Sequence, residues 1–312
     1  MSILFDGLSL GAIYALIALG YTMVYGIAKM LNFAHGDVIM VGAYAFFVTL
    51  TSNLPVLFAD LFGATYESGT AVLSLATVAA LLVSAVIAVI ICVIMGIVIE
   101  KVAYKPLRGA SPLAVLITAI GVSYLLQSVS QLIFGAAPKT ITLPSFGTVN
   151  MFGASISVSS LFTLAVGAVI MAVLTVFVKY AKTGRAMVAV SEDKGAAMLM
   201  GINVNKIISI TFAIGSALAA AASIFYLLQI PSVEPTLGSM PGIKAFTAAV
   251  IGGIGSIPGA MIGGVLLGVI EKVCLSVPAL APYTTAVEFG LLIVILLVRP
   301  IGILGKKRRE KV

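Results

Sequence analysis

Two stretches of this chain hold residue types at spacings that could do chemistry. In the first, Asn32, the single histidine His35, Gly36 and Asp37 fall within six residues, between two apolar segments. An amide, an imidazole and a carboxylate so close together either line a water-filled path or form a short polar turn with Asp37 near a helix N-terminus. The second runs from Gly184 to Ile202, where Arg185, Glu192, Asp193 and Lys194 stand among helix formers. Ala189, Ala196, Ala197 and Met200 give it one small apolar face at helical spacing. Gly184 marks the start of the expected helix 184–201, and Gly201 its end, as a C-cap would. Such a helix either offers its charges to a partner or rests on lipid headgroups.

Other chemistry is scarce. The chain has no Gly-x-x-x-x-Gly-Lys-Ser/Thr to cradle nucleotide phosphates, no His-Glu-x-x-His and no Gly-x-Ser-x-Gly. Glu271, Glu288 and Asp37 stand far apart in the sequence, near the expected membrane edges, so no carboxylate pair is expected inside the bilayer. Cys92 and Cys274 both lie in apolar runs and read as packing residues, with no disulfide framework and no metal site. No cofactor of the chain's own is expected. A proton-driven carrier would show a buried ionisable relay, so the balance favours a passive pore whose energy source sits on another chain.

The elements that must hold these residues are membrane spans. Of 312 residues, 61% are hydrophobic and 9% charged, whereas a soluble domain carries about 25% charged residues. The many apolar runs long enough to cross about 30 Å of hydrocarbon predict an all-α, polytopic transmembrane bundle of eight to nine spans. It reads as one domain, 1–312, with no cleavable signal peptide, since the first run begins at once without a basic leader. Runs at about 8–25, 71–99, 112–134, 157–178, 207–228 and 285–298 read as full spans. Between Leu8 and Tyr25, Gly11 and Ala15 continue a stripe begun by Gly7, and Gly259, Gly263, Gly264 and Gly268 form another, which suits close helix packing. Ser209, Ala213, Ser216, Ala220 and Ser223 make a small-residue seam of the same kind. Ser123, Gln127, Ser130 and Gln131 should face the bundle interior, lining a pathway or joining helices.

Two elements are too short for a comfortable crossing. Val38 to Leu50 follows the Asn32–Asp37 cluster, and Lys244 to Pro258 ends in a run containing Gly252, Gly253 and Gly255. Paired interruptions in the two halves of a transporter point to the substrate path, which makes Asn32, His35, Gly36, Gln127, Gly252, Gly253 and Gly255 its candidates. The loop 53–70 carries no Lys or Arg. Loops 135–155 (where Thr140 to Leu143 alternates as a short extended piece would) and 229–241 should share its side. Placing loops 28–36 and 100–111, the stretch 179–206 and the tail 305–312 with Arg299 before it on one face leaves only Lys139, Lys244 and Lys272 off it, out of 18 basic residues. The positive-inside rule makes that face cytoplasmic. With 244–257 counted as a crossing, nine passes run from an outside N-terminus to an inside C-terminus. The basic residues lie in loops and the tail, so nucleic acid is not an expected partner.

Gly11-Ala-Ile-Tyr-Ala-Leu-Ile-Ala-Leu-Gly20, Leu31-Asn-Phe-Ala-His-Gly36 and Gly184-Arg-Ala with Glu192, Asp193 and Leu199-Met-Gly-Ile202 resemble the LivH-type permeases of branched-chain amino acid ATP-binding-cassette (ABC) importers. The resemblance spans nearly the whole chain. It implies that 184–201 is a coupling helix, with Gly184, Arg185, Glu192, Asp193, Ala197, Gly201 and Ile202 on the motif that docks on a cytoplasmic ATPase subunit. Val188 stands where many members carry a second arginine. A second permease, homologous or another copy, an extracytoplasmic amino-acid-binding protein, and ATP with Mg held by the partner ATPase are also implied. The substrates implied are leucine, isoleucine and valine, or related small amino acids and amides, moved by alternating access, with the permease contributing weak contacts from Asn32, Gln127 and the 252–255 backbone. A self-sufficient secondary transporter or channel for a small polar solute is the rival reading. An intramembrane enzyme finds little support in one histidine and scattered carboxylates.

Overall fold

A computed structural model describes residues 2–52, 75–144, 146–151 and 154–305. The loop expected at 53–70 and the tail from Lys306 onward lie outside the described residues. The first helix, α1 (Ser2–Ala28), is apolar on every side and sits at the centre of the bundle, with residues 7–24 almost entirely buried. A helix hydrophobic all round must be surrounded, and this one is. Its expected glycine stripe is the reason neighbours can close on it. A Cβ on Gly11 would stand 2.7 Å from the Val265 Cα, and one on Gly7 2.9 Å from the Val269 Cα. These contacts belong to α10 (Ile257–Ser276), whose Gly264 and Gly268 face Ala15 and Gly11 in return.

The other long helices are α3 (Leu75–Ile99, continued by a π turn at Glu100–Tyr104), α4 (Pro112–Phe134), α5 (Val158–Tyr180), α8 (Val204–Gln229) and α11 (Thr284–Val298). Seven helices among the described residues are long and apolar enough to cross a membrane, and two shorter ones, α2 (His35–Thr51) and α9 (Ser239–Gly252), complete the set. The chain is therefore a multi-pass helical membrane protein. The serine seam of α8 packs as its spacing predicts: Ser216 meets Gly96 of α3, while Ala220 and Ser223 meet Gly42 of α2. Cys92 fills the same contact, and both cysteines are free and buried. On α3, α4 and α5, Leu82, Ile90, Ile117, Leu132 and Val173 point outward, as side chains solvated by hydrocarbon would.

The helix ends sort into two faces. At one, Lys194 of the 182–199 turn donates to the Ala28 carbonyl, Arg108 reaches Asn205 and Glu100, and the Ile303 and Leu304 amides donate to Ile251 and Gly252. This is the basic face. At the far face, β1 (Lys139–Thr140) pairs antiparallel with β4 (Ser232–Val233), and β2 (Thr148–Met151) with β3 (Ala154–Ser157). Of the extended piece expected at 140–143 only Thr140 is strand, in the two-residue β1 that ties loop 135–155 to loop 229–241.

Candidate functional site

The first short helix begins inside the bundle. After Ala28 the chain leaves helical geometry at Lys29, which takes a left-handed φ of 61°, and turns back beside α1. Residues 31–34 are not helical, yet Asn32 and Ala34 are buried. His35 lies against Gly20, two turns up α1, with its ring edge-on to Tyr21 at 4.8 Å. Non-helical backbone at this depth is tolerated because protein surrounds it: the Tyr104 hydroxyl donates to Asn32 Oδ1 at 2.8 Å, and Tyr21 and Phe33 pack on Phe246.

The partner of this break is not where the sequence places it. The glycines 252–255 form the turn between α9 and α10 at the basic face. The second half-helix instead starts at Ser239, after residues 230–238 dip in from the far face. Gly238 and Gly242 lie directly against Gly36: a Cβ on Gly36 would stand 2.7 Å from the Gly238 carbonyl oxygen. Gln127 closes this joint from α4, with Nε2 donating to Asp37 Oδ1 at 2.8 Å and to Ser239 Oγ at 3.2 Å. Gln127 lies fifteen residues into α4, about 22 Å along it, well within the hydrocarbon. The N-termini of α2 and α9 therefore meet inside the membrane from opposite directions. Of the path candidates, His35, Gly36 and Gln127 come together here and Asn32 lies just below. Gly252, Gly253 and Gly255 lie a full half-helix away. Gln131, expected to face inward, is exposed on α4, because it lies on the flank of the helix rather than on the Ser123–Gln127–Ser130 face.

A second polar site joins three helices. Lys244 of α9 pairs with Glu271 Oε1 of α10 at 2.8 Å and Glu288 Oε2 of α11 at 3.2 Å, and the Tyr14 hydroxyl donates to Glu271 Oε2 at 2.7 Å. The expectation that no carboxylates pair within the membrane is wrong for these two. Glu271 lies five residues before the end of α10 and Glu288 four after the start of α11, so antiparallel helices bring them to one level. The available signal was Lys244 itself. A lysine in an apolar run, off the basic face, needs buried carboxylates.

At the basic face the polar stretch forms two helices rather than one, α6 (Lys182–Glu192) and α7 (Lys194–Leu199). Asp193 is the reason: its backbone is extended, and its Oδ1 accepts from the amides of Gly195 at 2.8 Å and Ala196 at 3.0 Å, capping α7. Gly201, at φ 79°, ends α7 with the Gly201 amide bonded to Met198 and the Ile202 amide to Ala197, the paired bonds of a Schellman cap. Gly184 is pressed on the end of α5, where a Cβ would meet the Val178 Cα at 2.6 Å. Met187, Val190 and Ala197 are buried, whereas Arg185, Glu192 and Asp193 face outward. Met198, Leu199 and Met200 are 60%, 90% and 82% exposed, an apolar knob beyond the ends of the spans. Burial, and then the nearby Arg108 guanidinium, hold the Lys194 ammonium below the ordinary lysine pKa. Beneath it, Glu100 is fully buried against Arg108 and accepts from Ser209 Oγ at 2.6 Å.

Between α6, the end of α1 and the turn 254–258 lies a cavity of about 520 Å³. Above it, toward the joint of α2 and α9, lies a cleft of about 10 Å³ beside Asn32 and Phe246.

Residues 3–297 match the family described as branched-chain amino acid transport system, permease component. Over 99% of its length the chain is 44% identical to the high-affinity branched-chain amino acid transport system permease protein BraD of Pseudomonas aeruginosa, covering 97% of that protein. It is 42% identical to LivH of Escherichia coli K12, over 99% of the chain and 96% of that relative. A part-length similarity, 34% over 41% of the chain, links it to the fructose import permease protein FrcC of Rhizobium meliloti.

Proposed function

The chain belongs to the branched-chain amino acid transport permease family and is a permease subunit of an ABC importer, and on that premise we propose that it carries leucine, isoleucine or valine inward. In this reading the basic face is cytoplasmic, the N-terminus lies outside and the C-terminus inside, as the positive-inside rule favours. An ATPase subunit docks on α6 and α7 and hydrolyses ATP. A binding protein delivers the amino acid at the far face, and a second permease completes the pathway.

The observation that carries this is the exposed knob Met198-Leu199-Met200 beside Arg185 and Glu192. Apolar side chains exposed outside the spans mark an interaction surface, and the short caps at Asp193 and Gly201 make the turn rigid enough to act as a lever. ATP-driven closure of the partners moves α6 and α7 together. Through Lys194 on Ala28 and Gly184 on α5, the movement reaches the spans and opens the joint of α2 and α9 to alternate sides.

A self-sufficient proton-driven carrier is the reading that the buried Lys244–Glu271–Glu288 cluster favours; family membership weighs against it. The test is Leu199→Glu in the reconstituted importer. Loss of ATPase co-purification and of ATP-driven leucine uptake, with the permease still folded, is the expected result. Wild-type uptake in that variant, or uptake by the chain alone without ATP, overturns the reading.

A further inference from the structure

Helix α4 stands at the edge of the bundle, with only Val115, Ala119 and Ser130 fully buried. One side of its outward surface is polar. Gly121, Tyr124, Ser128 and Gln131 are exposed there, at spacings of three, four and three that keep them on one side of a helix. Tyr124 is 67% exposed and lies twelve residues from the start of α4 and ten from its end, roughly 15 Å from the nearer end. Tyrosines of membrane spans gather at the headgroups; this one stands at mid-membrane. The side-chain hydrogen bonds of α4 come from Thr118 and Gln127, and none from Tyr124, Ser128 or Gln131. By contrast, every exposed residue of α11 is apolar, and so is every exposed residue described on α3. The exposed hydroxyl in the middle of α5, on Thr175, donates to its own helix at Met171.

Hydrogen-bonding groups that face lipid go without partners, because hydrocarbon supplies none. A stripe spaced by threes and fours over about 15 Å is matched by one helix lying along it. Gly121 leaves that helix room to approach, since an added Cβ there would meet nothing within 4 Å. The stripe also adjoins the joint of α2 and α9. Gln131 is four residues past Gln127 and Tyr124 three before it, so the polar arc of α4 runs from Asp37 to the outer surface without a break. Whatever covers the stripe therefore borders the path. We infer that this face seats the second permease, an occupant that rests on the import reading proposed above, and that one of its transmembrane helices packs along Tyr124, Ser128 and Gln131 with hydroxyl or amide groups opposite them. The partner is a homologous chain rather than another copy. Two copies about a twofold axis would set Tyr124 on Tyr124 and Gln131 on Gln131 at like levels, and Gly121 on Gly121, so that crowded layers alternate with empty ones. A different chain can place bulk opposite Gly121 and Ser128 and small residues opposite Tyr124 and Gln131.

The complete importer in its membrane, with an epitope tag on the second permease, supplies the test. Benzoylphenylalanine in place of Tyr124 should give, on illumination, an adduct that contains the tagged chain. The same probe in place of Val173, which points outward from α5, should give none. Ser128→Leu combined with Gln131→Leu removes two hydrogen-bonding groups from the interface, and should lower recovery of the tagged chain with this one by about fivefold or more. The melting point of the chain itself should not fall, because neither side chain bonds within it. Leucine is the better residue wherever lipid is the neighbour, so a stripe that faced lipid would leave recovery unchanged. An adduct with lipid alone, with an ATPase subunit or with another copy of this chain overturns the inference, and so does unchanged recovery in the leucine variant. Each leaves the import reading standing where the wild-type importer takes up leucine under ATP in the same membranes. An adduct with the tagged chain, in an assembly that takes up no leucine under ATP, supports the interface and overturns the import of leucine instead.

Discussion

The membrane interior of this permease holds two polar sites that are built in opposite ways. At the joint of α2 and α9, Gln127 bridges Asp37 and Ser239 with single hydrogen bonds, and glycine backbones touch at Gly36, Gly238 and Gly242. At the far ends of α9, α10 and α11, Lys244 is held by two carboxylates, one of them also bound by Tyr14. The first can open by exchanging a few weak bonds for water or solute. The second cannot be parted without stranding charge in hydrocarbon. Half-helix α9 carries one site at its first residue and the other less than two turns on, so it is braced next to the place where it must yield.

Removing one partner of a buried ion pair costs about 3–5 kcal/mol, whereas replacing the whole set by neutral groups costs little. Lys244→Met should therefore show the largest fall in thermal stability of the purified protein, and Lys244→Met combined with Glu271→Gln and Glu288→Gln should recover most of it. No recovery in the triple variant would mean that shape rather than charge holds the brace. Gln127→Ala should cost less, about 1–3 kcal/mol, while reducing transport more than Lys244→Met with its two glutamines does. If the joint variant proves the less stable of the two single variants, the contrast between a yielding joint and a fixed brace is reversed. The smallest effect lies outside both sites and calibrates them. Asp193→Ala removes the α7 cap at about 1 kcal/mol, and Asp193→Asn should keep most of it. Melting curves of the two variants should differ accordingly, and ATP-driven uptake should follow the cap rather than the charge.

The spans were legible because hydrocarbon demands long apolar runs, and the cap at Gly201 follows a local rule that a sequence displays. That α1 and α10 each pack closely on a neighbour was legible in the spacing of Gly7, Gly11, Gly264 and Gly268, but not that they pack on each other. Two features of the candidate site were not. Residues 230–238 read as an ordinary proline-bearing loop, because nothing in their composition states that they descend to meet Gly36. Gly252 to Gly255 drew attention instead, since a glycine-rich turn and a broken helix look alike in one dimension. The Lys244 cluster draws on three helices, and only the mismatch of Lys244 with the charge asymmetry hinted at it. The break at Asp193 was hidden because a residue that caps one helix is also a tolerable member of a longer one.

The burial of α1 has a consequence for how the protein is made. The innermost helix is made well before its main partner: the groove formed by Gly7, Gly11 and Ala15 is filled by α10, some 250 residues later. At about 5–20 residues per second, translation leaves that groove facing lipid or the insertion machinery for on the order of ten to fifty seconds. Final assembly of the centre therefore waits on the synthesis of α10, and a chain cut short before Ile257 has nothing to fill the groove of α1.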